Sequence, residues 1–187
     1  IVTSQIVFRF SGFLRKMFSL QSAESSAVFR IGFGAILTWE VWRYFHYGWV
    51  TRYFTGQPWY FPYPGFSWVR PWPAEWAMEL HFWLLGILAV CISLGFLYRI
   101  AAPAFFLAFS CVFLLERAGY LIPFYFVVLV AFLLFLIPAN RIWSVDRFFW
   151  DVFGKNSRFL SRFPSFFGQN PTEKDRIPAW SVWILRF

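Results

Sequence analysis

ERAGYLIPFYFVVLVAFLLFLIPANRIWSVD, residues 116–146, decides how this chain folds. Residues 122–138, 17 in all, carry no charge and almost no polar atom. As a helix they extend roughly 25 Å, the short end of what crosses a bilayer core of about 30 Å. Pro123 suits the first helical turn, where a missing N–H costs nothing. Pro138 ends the run, and Asn140, Arg141 and Asp146 mark an expected return to water. Ahead of the run, Arg117, Ala118 and Gly119 supply a hairpin turn. The stretch reads as turn, membrane helix and abrupt polar exit.

Composition agrees. Aromatic residues make up 26% of the chain, with 28 Phe and 12 Trp, charged residues only 14%, and mean hydropathy is +0.55. A soluble domain averages about 25% charged. Hydrocarbon forbids unpaired backbone, so the expected fold is all-α: a polytopic integral membrane helical bundle with interfacial amphipathic helices. A barrel would need alternating runs of about ten residues, and the apolar runs here do not alternate. The net charge of +8 sits beside apolar segments, as topology signals and lipid-headgroup contacts do. Membrane lipids, not nucleic acid, are therefore the expected partners. Cys91 and Cys111 fall inside apolar runs and read as small buried hydrophobes. No Cys/His spacing resembles a metal site, so none is expected. Residues 1–26 lack the apolar core and cleavage site of a secretory signal. The chain opens on Ile1 and stops at Phe187 inside an apolar segment, which reads as a fragment or as the ordered part of something longer.

Working outward, residues 1–26 form an N-terminal interfacial segment, mixing Phe8, Phe10 and Phe13 with Arg9, Arg15 and Lys16. Ser25 or Ser26 is placed to cap the next helix. Residues 27–146 form a four-helix transmembrane region with expected spans at 27–47, 76–98, 101–116 and 122–138. Arg99 is expected to close the second span. Between the first two lies an aromatic outer loop, 48–75, rich in Trp and Pro. Residues 147–176 read as an interfacial segment, and 177–187 as the start of a fifth helix. Orientation follows from counting Lys and Arg. With the N-terminus in the cytoplasm, twelve lie inside and three, Arg52, Arg70 and Arg117, lie in outer loops. A bacterial inner membrane is the expected location.

Few residues offer chemistry. Glu40 and Arg43 stand three apart, share a helix face and sit inside an apolar segment, where a charge costs about 2.5–3.5 kcal/mol on insertion scales. Two readings stand: an interfacial ion pair, or a polar cluster facing a cavity that His81 also borders. Trp59 and Trp68 in the aromatic loop either roof a lipid-accessible pocket or belong to an ordinary aromatic belt.

The order of segments resembles a known family. RIGFGAILTWEVWRYF, FSWVRPW, HFWLLGILA and GFLYRIA, followed by residues 116–146, are similar to the membrane domain of the vitamin K-dependent γ-carboxylase family, known in bacteria as the horizontally transferred transmembrane domain. The resemblance runs from Phe29 to Phe187. It aligns Glu116, Tyr120 and Tyr125 with the family's acidic residue and Tyr-Leu-Asn-His-x-Tyr run, and residues 141–146 with its Arg-x-Trp-Ser-Val-Asp-like segment. Ile122 and Pro123 replace the family's Asn-His, which removes two polar groups from the region lining the family's reaction site. The family's catalytic lysine lies beyond Phe187.

What the resemblance implies is carboxylation of protein glutamate driven by a reduced quinone, oxygen and carbon dioxide. Tyr120 and Tyr125, with Trp59 and Trp68, are then the residues to hold a quinone of vitamin K type or a bound lipid. No catalytic residue is identifiable in this chain. The alternative is a non-catalytic integral subunit of a larger membrane complex that binds lipid, quinone or pigment among other integral membrane subunits. Acyl-transfer, phosphate-loop and dinucleotide motifs are missing. No repeated halves support a transporter.

Overall fold

The computed structural model describes residues 20–55, 63–66, 68–72, 74–115, 122–140, 142–149 and 176–184. In chain order the elements are β1 (Leu20–Ser22), α1 (Glu24–His46), a π-helical turn (Thr51–Thr55), α2 (Glu75–Leu94), α3 (Tyr98–Leu115), α4 (Ile122–Leu136), α5 (Val145–Phe149), β2 (Arg176–Pro178) and α6 (Ala179–Ile184). The fold is all-α apart from one short ladder. They divide into two compact units, Arg30–Leu136 and the pair of segments Ile1–Phe29 and Ile137–Phe187. The proposed interfacial helix near the N-terminus, and most of residues 147–176, lie outside the described residues.

In the larger unit, α2 and α3 are each long and apolar enough to cross a membrane, over Trp76–Leu94 and Tyr98–Leu115. Only 28% and 33% of these stretches are buried, whereas the core helix of a soluble protein is covered on most sides. Leu80, Trp83, Ile87 and Leu94 of α2 and Ile100 and Leu107 of α3 face outward. A helix that is apolar all round belongs in a core or in lipid. α1 is long enough but carries Arg30, Glu40 and Arg43, and α4 is apolar but has 15 residues.

Several boundaries differ from the hydropathy reading. The second span was expected to run through Tyr98 and close at Arg99. Instead Gly95, in the left-handed region at φ 67°, ends α2, and Tyr98 and Arg99 open α3. The Gly95 N–H bonds to the Ile92 carbonyl and that of Phe96 to the Cys91 carbonyl, a turn that satisfies carbonyls a helix end leaves free. Hydropathy misses it because Phe96 and Leu97 are as apolar as their neighbours. Starting at Tyr98 also puts Pro103 in the second turn of α3, where its missing N–H leaves the Arg99 carbonyl without its helical donor.

The α1 and α2 helices pack through small residues. A Cβ added at Gly34 would stand 2.6 Å from the Ser93 backbone nitrogen, and one added at Gly86 would stand 3.2 Å from Val41. Position 34 therefore faces 93 while position 41 faces 86, an antiparallel pair. Small residues at such contacts let backbones approach where lipid offers no hydrophobic drive.

The smaller unit holds an unexpected ladder. β1 and β2 pair antiparallel, with Gln21 opposite Ile177. Its strands are three residues each, too short for a periodicity to announce them. Residues 177 and 178 thus belong to a strand, and α6 covers 179–184 of the expected fifth helix. Neither expected cap serves α1. Ala27 N–H bonds to the Ala23 carbonyl, so the helix starts before Ser25 and Ser26, which lie within its first turn. Ala23, Ala27 and Ile142 form a small apolar core. Asn140 and Asp146, expected at the polar exit, are buried instead.

Candidate functional site

The polar and aromatic side chains of the larger unit gather at two ends of its helices. One end is where α1 finishes and α2 begins. There Arg43 Nη1 donates to Glu40 Oε1 at 2.8 Å, as the three-residue spacing allows. The Arg43 guanidinium also stands 5.3 Å from the Trp49 ring centre, within cation–π range. Tyr44 stacks on Phe82 at 5.4 Å and meets Trp49 edge-on at 5.4 Å, while Phe54 of the π-helical turn packs on Phe82 at 5.2 Å. Phe54 thereby ties the turn to α2, and Trp49, just ahead of it, meets Tyr44 of α1. Both members of the ion pair are about one-third to two-fifths exposed, and such pairs contribute little. Glu40→Gln is expected to change unfolding free energy by less than about 1 kcal/mol in thermal melts of the detergent-solubilised protein.

His81 does not join that pair. Its Nε2 lies 3.0 Å from the Ala108 carbonyl of α3, which can only accept, so Nε2 carries the proton. No hydrogen bond among the described residues links it to Glu40 or Arg43. Trp68 is 74% exposed, with its ring near Phe66, and Tyr125 is 52% exposed, near Phe113. Trp59 and Tyr120 lie outside the described residues. The structure therefore brings together Glu40 and Arg43 among the expected site residues and ties His81 to a different neighbour. Among the described residues no three His, Cys, Asp or Glu side chains gather as metal ligands.

A groove of about 530 Å³ runs along the outer face of α1 and α2. Trp39 and Trp42, whose rings lie 4.8 Å apart, form one wall, and Val90 and Leu94 form the other. Its two hydroxyls are already committed. Thr38 Oγ1 donates to the Gly34 carbonyl at 2.8 Å and Ser93 Oγ to the Ile31 carbonyl at 3.3 Å. The surface offered is hydrocarbon and indole, with the indole N–H groups as the remaining polar handles.

The opposite end holds what sequence reasoning missed. Arg30 is 0% exposed, and its Nη1 donates to the Ile92 carbonyl at the end of α2, at 3.0 Å. Its guanidinium lies 6.0 Å from the ring centre of Tyr98. The Tyr98 hydroxyl in turn donates to the Leu134 carbonyl in the last turn of α4. Two helix ends, each carrying partial negative charge, thus each receive a side-chain donor, and the two side chains lie within cation–π range of one another. The signal in the sequence was a lone Arg ten residues before a Glu–x–x–Arg pair. It carries no hint of a backbone partner. Tyr98→Phe removes the donor to a buried carbonyl, and chemical unfolding is expected to show a loss of about 1–3 kcal/mol.

Comparison with known families adds the last observation. The family model described as the HTTM domain matches residues 18–159, taking in every described element from β1 to α5. No solved structure matches the chain. Two apolar helices inside that match mark the chain as a membrane protein.

Proposed function

This chain belongs to the HTTM domain family, and on that premise we propose that it is an integral membrane component that holds an apolar ligand, a lipid or the tail of a quinone, without supplying catalytic groups of its own. The observation that carries this reading is the state of the polar side chains. Along the groove both hydroxyls are spent on backbone carbonyls. The Glu40–Arg43 pair closes on itself and His81 closes on Ala108. A general base needs hydrogen-bond reach to a substrate proton, and these groups are directed at their own scaffold. In the membrane the chain crosses four times with its N-terminus in the cytoplasm of a bacterial cell, as the distribution of Lys and Arg favours. Other integral membrane subunits are its natural neighbours.

The test is native mass spectrometry of the protein released from nanodiscs, comparing wild type with Ala35→Trp, which places a large ring in the groove. Wild type is expected to retain lipid or quinone and the variant to lose it. A wild type that carries none would contradict the proposal.

A second reading is favoured by the order of residues 116–146, which resembles the γ-carboxylase membrane domain. It implies quinol-dependent addition of carbon dioxide to a glutamyl peptide. Ile122 and Pro123, in place of Asn-His, weigh against it. Supplied with vitamin K hydroquinone, oxygen and labelled carbon dioxide, the chain is expected to incorporate no label.

A further inference from the structure

We infer that the smaller unit binds a resident water molecule held jointly by Asn140 and Ser26. Asn140 is fully buried, and neither its amide nitrogen nor its amide oxygen has a hydrogen-bond partner among the described residues. Ser26 is equally buried, and its hydroxyl is likewise unpartnered. Buried polar atoms are nearly always paired with protein or ordered water, and three such atoms in one small unit call for a shared explanation.

The chain brings the two segments that carry these side chains together. Ala23, Ala27 and Ile142 pack as one cluster. Ser26 adjoins Ala27, and Asn140 stands two residues before Ile142, within about 7 Å along even an extended chain. The Asn140 turn therefore lies against the first turn of α1. That turn begins at Ala23, whose methyl group cannot accept the hydrogen bonds that a Ser or Asp cap would. The first N–H groups of any helix have no intrahelical acceptor.

The guest follows from what surrounds it. The amide oxygen only accepts, the amide nitrogen only donates, and a hydroxyl does both, so the guest donates and accepts. Ser144 does not substitute for it. The Ser144 hydroxyl donates to the Asn140 backbone carbonyl at 2.6 Å and accepts the Arg147 N–H at 3.2 Å. Water meets these conditions, bonding to several buried polar groups in a cavity of its own size.

The proposal stands independently of what the groove holds. Its test is thermal unfolding of the full chain in detergent for wild type, Ser26→Ala, Asn140→Leu and the double variant. With a shared water, each single change lowers Tm by about 2–6 °C, and the double change lowers it by less than the sum. If the amide is simply orphaned, Asn140→Leu removes a buried polar group and raises Tm, which overturns the proposal. Strictly additive losses overturn it too. A Tm that depends on the identity of the salt, in wild type but not in Asn140→Leu, would assign an ion and overturn the water. Should Asn140→Leu not accumulate, a high-resolution map of wild type in nanodiscs decides. A peak within hydrogen-bond distance of both side chains is expected, and its absence where other waters are seen is the contrary result.

Discussion

Arg30→Met is expected to lower the unfolding free energy by about 1.5–3 kcal/mol, the range for hydrogen bonds to charged groups. Three losses add in the same direction. The Ile92 carbonyl loses its side-chain donor. A cation leaves the end of α2, where the helix dipole favours it by up to about 2 kcal/mol in partly buried geometries. Tyr98 loses the guanidinium near its ring. Methionine keeps an unbranched, flexible apolar stem but not the guanidinium, so the loss combines charge, hydrogen bonding and the packing of the buried end of the side chain. Arg30→Lys keeps the charge but not the planar fork, and it should fall between wild type and Arg30→Met. Denaturant titration in mixed micelles reads both. Were Arg30→Met as stable as wild type, Arg30 would be no more than a topology signal.

Gly34→Leu is the second large effect. Any Cβ at position 34 would stand within 2.6–2.8 Å of the Ser93 backbone and Cβ. Backbone cannot rotate away as a side chain end can, so α1 and α2 must separate. Overpacking of this kind costs about 1–3 kcal/mol or more. Gly32, two residues earlier on the same helix, has nothing within 4 Å of its added Cβ. There the same substitution should be neutral or stabilise by up to about 1 kcal/mol, because Gly is a poor helix former. The pair of variants separates helix propensity from interhelical contact. Equal effects at both positions would contradict the packing described for α1 and α2.

How much of this was legible in the sequence depends on the length scale of each signal. The apolar stretches of α2, α3 and α4 span fifteen or more residues and declared themselves. The Glu40–Arg43 contact is local, set by helix spacing, and was also readable. What failed was anything decided by a distant backbone atom. The partner of Arg30 is a carbonyl 62 residues away, and no residue type encodes a carbonyl. Asn140 was assigned to water because it follows a proline at the end of an apolar run, yet it is fully buried, in a unit where Ala23 and Ala27 of another segment pack on Ile142. The break at Gly95 was hidden for a different reason. Its flanking residues are apolar, so only the conformational freedom of one glycine marks the end of a helix.

The most direct test of the account is extraction of membranes carrying the full chain with alkaline carbonate. Hydrocarbon as the solvent for α2 and α3 predicts that the protein stays in the membrane pellet and leaves it only in detergent. Release into the supernatant as a folded monomer, with no detergent present, would contradict the membrane reading on which the groove and the packing arguments rest.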